Sequence, residues 1–154
     1  MSNTEQLTTD DTTLAWGDLV AAVTAADGGV FLATTGPDGR PHVAYVVPGW
    51  ADGRLWIATF ASSRKGANLR TNPQVAITCA PTPQSNVLVR ATARLVDDPA
   101  EVAELWASGA LPYDLTMFFG DASNPDLLFV ELVVDSASIH ELGPAPIRRW
   151  RPTA

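Results

Sequence analysis

The run GVFLATTGPDGRPHVAYVVPGWADGRLWIATF, residues 29–60, contains three stretches rich in β-branched and aromatic side chains: GVFLATT, PHVAYVVPGW and RLWIATF. GPDGR and ADGR separate them. Asp-Gly pairs tolerate the positive φ angles of a tight hairpin, so this spacing predicts an antiparallel meander of three strands. Toward the C-terminus, QVAITCA and NVLVRATARLV resume the strand pattern on either side of the Pro-rich loop PTPQSN, and DLLFVELVVD and ASIHEL supply two more strands.

The helical signals fall between these runs. Trp16, Leu19, Val20 and Val23 recur at helical spacing, with Thr12 or Thr13 as the cap and Gly28-Gly29 as the stop. SRKGANLRT is too polar for a buried strand and predicts about two turns of helix, closed by Asn72-Pro73. DDPAEVAELWASG carries an Asp98 cap, Pro99 at the first helical position, Glu101 three residues past the cap and a terminating Gly109. ALPYDLTMFFGDASNP reads as a loop with a helical turn. The expected class is mainly β with short helices, a six- to seven-stranded antiparallel split β-barrel whose ends the helices plug.

At 154 residues the chain has room for one core. Residues 1–12 are nearly devoid of apolar side chains and are expected to form a disordered tail, residues 13–146 the domain, and residues 147–154 a basic C-terminal tail. Lys and Arg total 10 against 17 Asp and Glu, a formal net charge of −7, which argues against general attraction to nucleic acid or to an anionic membrane. The sequence contains no apolar run of about 18 residues, and its polar, acidic start lacks the features of a secretory signal, so a cytoplasmic protein is expected. Cys79, the single cysteine, sits in the alternating strand VAITCA and reads as a small core hydrophobe.

Self-sufficient catalytic sets are missing: no G-x-S-x-G, H-E-x-x-H, C-x-x-C or P-loop lysine motif occurs. His42 and His140 are isolated, and Asp97-Asp98 precede a proline, where capping is the expected role. An enzyme of this composition would leave the difficult chemistry to a cofactor. One cluster stands out. In ASSRKGANLRT, residues 61–71, two hydroxyls and two cations gather at a helix start, where the helix dipole disfavours cations unless an anion compensates. A phosphate held by Ser62, Ser63, Arg64 and Lys65 would supply that charge, whereas a merely solvated helix face is the alternative.

The segment from Phe31 to Ala80 resembles the FMN-binding split-barrel family that includes pyridoxamine 5′-phosphate oxidase and the general stress protein 26 group. Thr59 at a strand end, the triplet Ser63-Arg64-Lys65 and the helix-closing Asn72-Pro73 stand in that family's order and spacing. The resemblance implies that Arg64 and Lys65, helped by Ser62 and Ser63, bind the FMN phosphate, while Thr59 and the strand containing Val43, Tyr45, Val46 and Val47 line the ring. Asn86 falls where the oxidase has a flavin-contacting glutamine. The family's members are homodimers with the cofactor at the interface, so Trp150 and Arg151 either reach the partner's flavin or cover a surface.

Departures from the family pattern matter equally. Val43 and Pro48 replace an arginine and a lysine of the oxidase, and the tail lacks its Arg-x-His arrangement, so the implied reaction is oxidation or reduction of a small molecule other than pyridoxine phosphate. Lys65, Asn68 and Leu69 also match a Lys-x-x-Asn-Leu helix of the branch that uses the deazaflavin coenzyme F-420, which stays open as the alternative cofactor. A flavin- or haem-carrying stress-response module without turnover is a further alternative. Tyr45 and His42 are the nearest candidates for a general acid, and Met117, Phe118 and Phe119 for an apolar lid, a dimer contact or core packing.

Overall fold

The computed structural model describes residues 12–26 and 29–153. The expected tail lies mostly outside the described residues, as does Gly28 of the helix stop. Helix α1 (Trp16–Ala25) is followed by strands β1 (Val30–Thr35), β2 (Pro41–Val46), β3 (Gly49–Ala51) and β4 (Arg54–Phe60). Helix α2 (Arg64–Thr71), strands β5 (Gln74–Cys79) and β6 (Ser85–Val96), helices α3 (Pro99–Ser108) and α4 (Thr116–Phe119), and strands β7 (Leu127–Glu141) and β8 (Arg148–Trp150) complete the chain.

All strands pair antiparallel in one sheet of order β2-β1-β5-β6-β7-β4-β3, with β8 added to β7. The two ends of that order, β2 and β3, are consecutive in sequence and joined by only Val47 and Pro48. Three residue steps span at most about 11 Å, so the sheet must curl until its edges nearly meet. They do not pair, and Pro48 has no N–H to offer a ladder. The result is a split barrel, as expected.

The hairpin chemistry follows the sequence. Asp52 and Gly53 both take positive φ, 51° and 72°, which is the two-residue turn that Asp-Gly favours between β3 and β4. Between β1 and β2, Gly39 at φ 80° closes onto the Gly36 carbonyl at 2.9 Å.

Three strand expectations are revised. PHVAYVVPGW breaks into β2 and β3 because the chain turns the barrel corner at Val47-Pro48. DLLFVELVVD and ASIHEL form one continuous strand, since β6 pairs with it along its whole length and absorbs the irregularity as a register shift between Arg90 and Ala91. Arg148–Trp150, within the expected tail, pairs with Ala137–Ile139 of β7.

Residues Leu127–Leu132 are buried without alternation because both faces of β7 are covered. Leu128, Val130 and Leu132 face the barrel interior with Leu32, Ile57, Ile77 and Val89, whereas Leu127 and Phe129 face Trp56, Leu105, Leu111, Leu115 and Phe119. The second cluster holds the α3–α4 region against the outside of β4. Gly49 allows this approach, since any Cβ there would overlap the Ala110 carbonyl. Asp98 caps α3 by accepting the Ala100 N–H at 3.1 Å, as its position predicted. Glu101 is turned away to Arg94, 2.7 Å distant, and does not close a capping box. Among the described residues no helix is long and apolar enough to cross a membrane.

Candidate functional site

Strand β4 ends at Phe60, and α2 starts four residues later with Ser63 as its N-cap. The Ser63 hydroxyl donates to the Phe60 carbonyl at 2.7 Å and accepts the Gly66 N–H at 3.1 Å. Thr59 is buried, with its hydroxyl 3.3 Å from that of Ser63. Ser62 is held by Asp126, whose carboxylate takes both its N–H and its hydroxyl. The hydroxyls of the cluster therefore build the turn, and Asp126, which sequence reasoning missed, is its outside support. An Asn-Pro-Asp segment leading into a strand was the only available signal, and it resembles many ordinary turns.

With Gly66 capped, the backbone N–H groups of Arg64 and Lys65 are left without an acceptor among the described residues, as expected for a helix first turn. Neither side chain lies within ion-pair distance of a described carboxylate. Arg64 is exposed; Lys65 is half-buried, and this desolvation lowers the pKa of its ammonium. Lys65 points along a cleft of about 370 Å³ whose walls include Tyr45, Val46, Val47, Thr59, Tyr113 and Phe118. Burial raises the pKa of the Tyr113 phenol there. A larger cavity, about 470 Å³, lies between α1 and Val47–Trp50, but none of its lining side chains among the described residues carries a charge. Among the described residues, a cation, orphan N–H groups and an apolar wall come together at the first cleft.

The fold thus brings Tyr45, Val46, Val47, Thr59 and Lys65 together; Arg64 is exposed beside Lys65 at the start of α2 and does not line the cleft. Asn68 is buried and donates to the Thr34 hydroxyl at 3.1 Å, fastening α2 to β1. Val43 and Tyr45 stand on the outer sheet face, 60% and 57% exposed, beside Phe31 at 51%. Asn86 donates to Thr78 on β5, and Trp150 packs on Trp16 at 4.7 Å; neither lines this cleft, nor does Arg151. His42 and His140 lie on β2 and β7, and no group of three metal-ligating side chains occurs among the described residues. Of the candidate lid, Met117 and Phe118 are exposed and Phe119 is buried.

These features define the class as a split antiparallel barrel with a capped helix that starts with two cations, neither paired to a carboxylate among the described residues, one of which lines an apolar cleft. The chain belongs to the pyridoxamine 5′-phosphate oxidase family, whose model matches residues 18–141. No curated protein matches it. Among solved structures it is similar to a protein related to general stress protein 26, from Clostridium acetobutylicum (15% identity, TM-score 0.70, covering 90% of this chain and 96% of that one). It is also similar to a haem-binding protein from Mycobacterium smegmatis (17% identity, TM-score 0.70, covering 90% of this chain and 58% of that one). A third is a pyridoxamine 5′-phosphate oxidase-related, FMN-binding protein from Nostoc punctiforme (19% identity, TM-score 0.59, covering 90% of this chain and 91% of that one). At these identities the likeness is one of fold.

Proposed function

We propose that this protein is an FMN-dependent oxidoreductase acting on a small molecule other than pyridoxine phosphate. The observation that carries the reading is Lys65, half-buried in an apolar cleft, with Arg64 exposed beside it at the start of α2, both without carboxylate partners among the described residues in a chain of net charge −7. The donor set fits a flavin mononucleotide: a guanidinium and an ammonium for the phosphate, two free N–H groups behind them, and a wall of Tyr45, Val46 and Val47 for the ring. Thr59 and Ser63 hold the turn rigid beneath it. When bound, the flavin supplies hydride or electron transfer, and the chain orients it and excludes water.

The reading extends to a homodimer. Tyr45, Phe31, Thr78 and Leu88 follow one another across β2, β1, β5 and β6 on the outer face, and three of the four are large exposed apolar side chains. A second copy covering that row would bury it and bring its own Asn86, Trp150 and Arg151 toward the cofactor.

The test is a cofactor titration. FMN binds with micromolar or tighter affinity and riboflavin at least tenfold more weakly, and Arg64→Ala with Lys65→Ala abolishes that preference. Equal binding of FMN and riboflavin, or no flavin binding, overturns the reading. Coenzyme F-420 is titrated in parallel, because Val43 and Pro48 leave the ring region without cations; binding of the deazaflavin alone makes it the cofactor. A flavin complex inert to every reductant and acceptor tried identifies a carrier instead of an enzyme.

A further inference from the structure

The larger cavity, about 470 Å³, lies among α1, the β2–β3 corner and the segment after α3. Val20, Val23 and Thr24 recur at i, i+3 and i+4, so α1 turns one face to it. Gly49 lets Ala110 approach the corner, which brings Gly109, Ala110 and Pro112 to the same hollow. Its size falls in the range of small-molecule pockets, about 300–1,000 Å³.

The walls offer little to a charged ligand. No charged side chain lines this cavity among the described residues. The lining hydroxyl is spent, because Thr24 donates to the Val20 carbonyl one turn back, at 2.7 Å. Pro48 and Pro112 bring no backbone N–H. One side-chain donor remains. Trp50 forms part of the wall, and its indole Nε1 is the single buried side-chain polar atom without a hydrogen-bond partner among the described residues. Trp16 meets that indole edge to face at 5.7 Å and fixes its position. A buried donor left unpaired is costly, so a ligand oxygen that meets it makes a bond the fold leaves unmade.

The cavity adjoins the α2 cleft. Val47 lines both hollows, Pro112 in one precedes Tyr113 in the other, and a Cβ on Gly29, in the cavity wall, would overlap the ring of Tyr45, in the cleft wall. We infer that this cavity is the substrate pocket beside the proposed flavin, and that the substrate is an uncharged, largely apolar molecule with a carbonyl-type oxygen for the Trp50 N–H. The role of substrate rests on the flavin reading; the pocket and its ligand class rest on the cavity's own walls. An anionic substrate would give up its water there with no cation to replace it.

Three compounds sharing one ring system test it: acetylnaphthalene, naphthalene and naphthoate, titrated into the full chain with and without FMN while proton–nitrogen correlation spectra follow the tryptophan indoles. Acetylnaphthalene binds at one site with submillimolar affinity and shifts the Trp50 indole N–H. Naphthalene binds at least fivefold more weakly, and naphthoate at least tenfold. Trp50→Phe identifies the resonance and brings the ketone down to the naphthalene affinity. Val20→Phe, which adds a ring to the cavity wall, weakens the ketone at least tenfold; the indole shift of the unaltered chain is a readout independent of how either variant folds. No ketone binding, naphthalene or naphthoate binding as tightly, or a Trp50 resonance that stays in place overturns the inference. So does displacement of the ketone by FMN, which would make the cavity part of the cofactor's seat. Ketone binding in a chain that refuses FMN removes the flavin reading and leaves the pocket standing; FMN binding in a chain that refuses the ketone removes this inference alone.

Discussion

Asp126 holds Ser62 with both carboxylate oxygens, one accepting the backbone N–H at 2.7 Å and the other the hydroxyl at 2.6 Å. Its own carbonyl accepts the Ala61 N–H at 2.8 Å. The residue entering β7 thereby fixes where α2 begins and which way Arg64 and Lys65 face. Asp126→Ala is expected to cost about 1.5–3 kcal/mol of stability, the range for hydrogen bonds to a charged group. FMN affinity falls several-fold with it; chemical denaturation and a flavin titration check the two effects.

Gly66 lies in a helix, where alanine normally gains about 1 kcal/mol. Here the first turn is pressed against β4, and a Cβ would stand 2.5 Å from the Phe60 carbonyl oxygen and 2.7 Å from that of Ala61. Backbone oxygens cannot swing aside. Gly66→Ala is expected to destabilise by about 1–3 kcal/mol, the usual cost of overpacking, measured as a lower denaturation midpoint with unchanged slope.

Burial lowers the Lys65 pKa in the free chain, and a bound phosphate raises it again. FMN binding therefore favours the protonated amine: affinity is full below the free-chain pKa and declines over the interval in which pH rises through that lowered value toward the ordinary lysine range, about 10.4. Lys65→Arg, charged throughout, removes that decline. Fluorescence titrations across this interval measure it.

Glu101 is held below the usual carboxylate range, first by its hydrogen bond from Arg94, which lies over the Trp56 ring and also bonds Glu131. A depressed carboxyl pKa contributes stability above its unfolded value, about 4.3, and loses it as pH falls through the folded value. Glu101→Gln should be less stable than the unaltered chain at neutral pH, with the gap closing in acid. Urea midpoints at several pH values follow the difference.

Burial pushes the Cys79 thiol up to about 11, inside the barrel core. The folded protein is expected to resist thiol-specific reagents at pH 8 and to react fully once denatured. Rapid labelling of the folded state would show that β5 opens.

Local structure was legible wherever a local rule acted alone: Asp52-Gly53 made its turn, Asp98 and Pro99 started α3, and α2 began beside Ser62 and Ser63. The cation pair of the candidate site was legible too, because Arg64 and Lys65 oppose the dipole of the helix they begin. The reach of β7 was not. Its burial on two faces erases the alternation that marks a strand's extent, and only pairing with β6 along its length carries it unbroken to Glu141.

What the sequence determined by itself was therefore a set of short-range choices: hairpins, caps, helix starts and an uncompensated pair of charges. Tertiary structure alone decided that Ser62 and Ser63 would be spent on Asp126 and the Phe60 carbonyl, and that Tyr45 and Lys65 would share a cleft. Hydrogen bonds between residues dozens of positions apart depend on sheet order and register, which no window of neighbouring residues encodes.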